Sequence, residues 1–103
     1  MTTTNETMTT KEQLAEVMAT VATRKKFYNS AMASLRRIYE IEKRDRAFHK
    51  AFKSENTKAD LAETMSMVFE RKKFFNRAAK SLQAIYSVEN ALRAEIKAAK
   101  VAK

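Results

Sequence analysis

Two kinds of residue in this 103-residue chain are placed to do chemistry, and both are cationic. The first is a row of five, Arg36, Arg37, Lys43, Arg44 and Lys50, which recur at three- to four-residue and heptad spacing on the side of a helix opposite Leu35 and Ile38. Guanidinium forks and ammonium point charges in that order suit a run of phosphates. A merely solvated face usually mixes its signs, and here Glu40 is the main offset, so the row reads as a surface that follows a polyanion backbone. The second is a run that occurs twice, Arg24-Lys25-Lys26-Phe27 and Arg71-Lys72-Lys73-Phe74. Arg24 and Lys25 fall where the helical pattern asks for apolar side chains, so their charges need partners. Either the arginines form register-setting ion pairs, Arg24 with Glu89 and Arg71 with Glu42, or the triplets hold phosphate; one triplet can do both, with Lys25, Lys26, Lys72 and Lys73 turned outward.

Other chemistry finds few residues to carry it. The chain has no Cys for a nucleophile or thiolate site and no Gly for a phosphate-cradling or oxyanion turn. Its one histidine, His49, stands four residues from Asp45, but two ligands make a weak metal site and the second copy has Leu92 and Ile96 there. His49 is expected at a helix end in solvent. No enzyme activity, cofactor or metal is expected.

The elements that must carry these residues come from a duplication. A shift of 47 positions superposes Thr10 to Ala51 on Thr57 to Ala98, with 22 of 42 residues identical. Absence of both Gly and Pro removes the tight hairpins that sheets need and the usual helix breakers, so the fold class is all-α. Thr10 with Gln13 and Thr57 with Asp60 have capping-box spacing. Acidic residues follow each start, and lysines stand near each end. The resulting plan is a tail over 1–9, a first-repeat helix over 10–52, a polar turn over 53–56, and a second-repeat segment over 57–103 whose helix runs to about residue 100. Together they make one domain, two long antiparallel helices in a tandem-repeat hairpin.

Apolar residues recur at helical spacing from Leu14, Val17, Met18 and Val21 through Tyr28, Ala31, Leu35, Ile38 and Tyr39. The second copy repeats the row from Leu61, Met65 and Val68 through Phe75, Ala78, Leu82, Ile85 and Tyr86. A second row at Phe27, Ile41, Phe48, Met67, Phe74 and Val88 widens the stripe beyond what one partner helix covers. Copies are therefore expected to pack together into a larger helical assembly through Phe27, Phe48, Phe74, Ala84, Ala91, Leu92 and Ile96.

A formal charge of +9, from 21 basic and 12 acidic residues, makes polyanions the natural partners. The basic row is peculiar to the first copy, since the second has Gln83, Ala84, Asn90, Ala91 and Lys97 in its place. No base-reading motif is present. The expected function is coating or compaction of DNA or RNA without sequence specificity by a homo-oligomer. Two rivals stand beside it: a helical adaptor or inhibitor for an acidic protein, and a sequestering protein that holds nucleotide-like anions with Arg24, Lys25, Tyr28 and their equivalents. In architecture alone such a basic hairpin is similar to the subunits of helical viral nucleoproteins, which implies a genome-sheathing role in a virion. No apolar run is long enough to span a membrane, and Met1 to Thr10 lacks the order of a signal peptide, so a soluble intracellular protein is expected.

Overall fold

The structure, a computed structural model, describes residues 9–101. Two helices contain all of these except Thr9, Lys53 and Ser54: α1 over Thr10–Phe52 and α2 over Glu55–Val101. With neither Gly nor Pro in the chain, no residue type that breaks a helix interrupts either one. The tail expected over 1–9 lies, Thr9 apart, outside the described residues, as do positions 102 and 103. Among the described residues there is no strand, and no helix is long and apolar enough to cross a membrane.

The caps decide where the helices begin. Glu12 N–H donates to Thr9 Oγ1 at 3.1 Å, and that hydroxyl donates to the Glu12 carboxylate at 3.2 Å. The cap is thus one residue earlier than the expected Thr10–Gln13 pairing, and it places a full negative charge at the positive end of the helix dipole. In α2 the cap is Ser54: Thr57 N–H donates to Ser54 Oγ and Ser54 N–H donates to Thr57 Oγ1, both at 3.1 Å. Thr57 is therefore the third helical residue and not the cap, and the turn contracts from 53–56 to Lys53 and Ser54. Lys53 closes α1 at a φ of 45°, its N–H donating to His49 O at 2.8 Å. This left-handed closure is commonly given to Gly; a side chain with a Cβ holds it at a cost of roughly 1–2 kcal/mol.

The described residues divide into two compact units, one made of 9–26 with 80–101, the other of Phe27–Ala79. Each unit combines part of one repeat with the complementary part of the other. In the first unit Arg24 reaches Ser81 and Arg93 reaches Met18, so the two helical segments run antiparallel. Leu82 and Ile85 are buried there, with Val17, Val21, Leu92 and Ile96 half-buried. The second unit contains the turn and is a helical hairpin. It buries Ala31, Leu35 and Ile38, the last only 1% exposed, together with Thr64. Tyr28 and Phe75, equivalent positions of the two repeats, meet there with ring centroids 5.2 Å apart. A position that touches its own equivalent is what antiparallel pairing of two copies of one sequence produces.

Only a narrow line of each helix is covered. Met18, Tyr39 and Met65, expected in the core, stand exposed because they lie at the margin of the stripe, beyond the line that the facing helix covers. The buried Thr64 hydroxyl donates to the carboxylate of Asp45, and the repeat equivalents of these two residues are Val17 and Leu92. One unit therefore has a polar pair at the positions where the other has two apolar residues.

This exchange gives a direct test. Thr64→Val and Asp45→Leu should each destabilise the protein by about 1–3 kcal/mol in urea unfolding, since each leaves a covered polar group without its partner. The double variant, which copies Val17 and Leu92, should recover most of the loss. Additive losses would show that the two side chains do not act as a pair.

Candidate nucleic-acid interface

Arg36, Arg37, Lys43, Arg44 and Lys50 are all exposed. The helical rotation of 100° per residue sets Arg36, Lys43 and Lys50 in one row and Arg37 and Arg44 in a second beside it, both turned away from Ala31, Leu35 and Ile38. From Arg36 to Lys50 the rows extend about 21 Å along the axis. Ion pairs within 4 Å among the described residues are Arg46–Glu42 and Arg93–Glu89, so none of the five cations is neutralised by a carboxylate in contact with it. The equivalent residues Gln83, Ala84, Asn90, Ala91 and Lys97 are exposed too, which leaves the second repeat with a neutral counterpart of the same surface apart from one lysine.

The repeated triplets divide in direction. Lys25, Lys26, Lys72 and Lys73 are exposed, although the periodicity had set Lys25 on the stripe. Arg24 and Arg71 are half-buried and reach the opposite helix, but not the expected carboxylates. Arg24 Nη1 donates to the backbone oxygen of Ser81 at 2.9 Å, and Arg71 Nη1 donates to that of Ser34 at 3.2 Å. These are the same bond made twice, once in each unit, because Ser34 and Ser81 are equivalent positions. A serine is small enough to let a guanidinium approach the main chain. Glu89 lies eight residues beyond Ser81, about 12 Å along the helix, so Arg24 turns to a carbonyl on the far side of its facing position, while the Arg93–Met18 and Thr64–Asp45 contacts keep the register expected for a turn near 55 to within about a turn. Glu42 and Glu89 instead bind Arg46 and Arg93, each one turn on along its own helix.

This arrangement weakens the anion-sequestering alternative. Arg24 and Arg71 already each donate to a carbonyl, and Tyr28 packs on Phe75. A groove of about 420 Å³ beside Arg71, lined by Ala31, Ser34, Glu70 and Phe74, carries a carboxylate of its own and suits an anion poorly.

Asp45 and His49, weighed above as a metal pair, face α2 and not solvent. Asp45 accepts from Thr64, and a 2.9 Å hydrogen bond joins His49 Nδ1 to Thr57 Oγ1 next to the turn. His49 is accordingly half-buried, contrary to the solvent position expected for it. Their equivalents, Leu92 and Ile96, held the missed signal: apolar residues at the same positions of the other copy mark that side of the helix as inward.

Of the expected contacts between copies, Phe27 (61% exposed), Phe74 (58%) and Phe48 remain open, and so do Ala84 and Ala91. Leu92 and Ile96 are half-buried within their own unit, which reduces what they can offer a second copy. Phe69 is exposed as well, with the Lys73 ammonium 5.2 Å above its ring. Comparison with protein-family models, with curated proteins and with solved structures returns no match for this chain.

The cross-helix arginines and the one-turn ion pairs should differ sharply in weight. Arg24→Met and Arg71→Met keep the apolar stem and remove the charged bond, and each should cost about 1–2 kcal/mol in urea unfolding. Glu42→Gln should stay within about 0.5 kcal/mol, as exposed one-turn pairs do. A loss at Glu42 as large as that at Arg71 would point back to an Arg71–Glu42 ion pair.

Proposed function

We propose that the protein coats or compacts nucleic acid through the phosphate backbone, without regard to base sequence, and does so as a homo-oligomer. The observation that carries this reading is the exposed and unpaired row Arg36, Arg37, Lys43, Arg44 and Lys50 on one helix, set against its largely neutral counterpart on the other. Cations spaced along a rigid rod, with little opposite charge among them, bind successive phosphates and release the counterions condensed there. The exposed lysines of both triplets add to the same attraction. Self-association is supported by Phe27 and Phe74, the same large aromatic left open in both repeats, and by the small neutral face around Ala84 and Ala91. Many weak sites on an assembled array then hold a polyanion far more tightly than one subunit could. A sheath around a viral genome is one setting that would use such an array.

The test compares the two faces at fixed net charge. One variant replaces Arg36, Arg37, Lys43 and Arg44 with Gln, and the other replaces Lys58, Arg77, Lys97 and Lys100. The first should lose affinity for duplex and single-stranded oligonucleotides alike and should flatten the salt dependence by roughly 0.7 to 0.9 units for each phosphate contact removed. The second should change far less. Sedimentation at micromolar concentration should show oligomers of the parent and of both variants. Equal weakening would mean diffuse attraction only and would favour an adaptor for an acidic protein, while a compact monomer throughout would remove the oligomeric part of the reading.

A further inference from the structure

Phe48 and Phe52 end an exposed line on α1 that begins with Arg37 and continues through the half-buried Ile41 and the exposed Arg44. The intervals of four, three, four and four residues keep the line on one side of the helix. Phe48 is 48% and Phe52 67% exposed, and their rings stack with centroids 6.1 Å apart at an interplanar angle of 26°. Two large aromatic faces are thus held side by side in water, next to two arginines that no carboxylate of the described residues contacts. The equivalent positions in the second repeat are Ala84, Val88, Ala91, Glu95 and Ala99. Aromatic rings and arginines are therefore present together on one copy and absent together from the other. Phe27 and Phe74 behave differently, since both repeats carry them.

We infer that this line receives unpaired bases, so that the nucleic acid bound is single-stranded, with Phe48 and Phe52 stacking on bases while Arg37 and Arg44 hold the adjoining phosphates. The inference rests on the coating function proposed above and names its substrate class. A duplex buries the faces of its bases in its own stack and would use only the arginines, leaving both rings in water. A single strand offers each base as a flat apolar partner of any sequence, together with its phosphates, and this matches the two kinds of side chain that alternate here. A surface meant only for a second copy of this chain would place its apolar residues away from like charges, because two such lines facing each other would oppose arginine to arginine.

The experiment uses the full chain and three labelled probes of equal length: an oligothymidylate, its abasic analogue and a duplex. The joint variant Phe48→Leu and Phe52→Leu keeps apolar bulk but removes the ring faces. It should lower affinity for the oligothymidylate about ten-fold or more, as loss of base stacking does, and should leave the abasic strand and the duplex within about two-fold of the parent. Arg37→Gln with Arg44→Gln should weaken all three. Sedimentation should give the parent's oligomeric state for the leucine variant, and circular dichroism its helical content. Equal loss on every probe, or no loss on any, overturns the inference while leaving the coating function in place. Dissociation of the oligomer by the leucine variant would assign the rings to a second copy and overturn it as well. Failure of the parent to bind any probe defeats the coating function itself, and the inference with it.

Discussion

Two helices that face each other along one side can shield only one narrow line of each, and the other features of the described residues follow from that limit. Among the described residues the buried hydrophobic side chains are Ala31, Leu35, Ile38, Leu82 and Ile85, a small number for two helices of more than forty residues. So thin a line of apolar contact specifies register weakly, because sliding one helix by a turn or two exchanges similar residues. Directional bonds supply what the apolar line does not. Each unit has an arginine donating to a serine carbonyl on the facing helix, and the hairpin unit adds the Thr64–Asp45 and His49–Thr57 contacts. These bonds are made only in one register, whereas dispersion and apolar burial are satisfied nearly as well in several.

The same limit explains the surface. With so narrow an interface most side chains must face outward, and the duplication lets the two outward faces differ while a core set of inward residues is kept. Arg24, Ser34, Leu35, Ile38, Glu42 and Arg46 all recur unchanged at a spacing of 47. Arg36, Arg37, Lys43 and Arg44 do not. The Arg24, Ser34, Leu35 and Ile38 positions, which make or line the contact with the facing helix, are thus kept in both copies, while the outward cations of one copy are replaced in the other.

The helices and their antiparallel course were legible from the duplication, the 3.6-residue periodicity and the lack of Gly and Pro, because these properties are local. The helix starts were legible only to within a residue or two, since Thr9, Thr10, Ser54 and Thr57 are all competent caps and the choice among them depends on which partner lies three residues on. The partners of Arg24 and Arg71 were misread for a different reason. The sequence showed two arginines and two glutamates in need of partners, and charge complementarity pointed to each other; a main-chain carbonyl is present at every residue and so leaves no mark in a sequence. The outward direction of the basic row was readable from the positions of Leu35 and Ile38. The inward direction of Asp45 and His49 was readable too, but only by comparison with Leu92 and Ile96, and a single copy would have hidden it.

The exchange of Asp45 and Thr64 for Leu92 and Val17 also bears on which helix each one accepts. If a second α1 took the place of α2 in the hairpin, the 47-residue offset would put Val17 where Thr64 now stands, and the Asp45 carboxylate would lose its donor. If a second α2 took the place of α1, Leu92 would stand at the position of Asp45 and the Thr64 hydroxyl would have no acceptor. Either substitution strands a polar group against an apolar one, and only the pairing of unlike copies avoids both. Two helices that descend from one sequence have in this way become a lock and key, each recognising the other in preference to its own likeness.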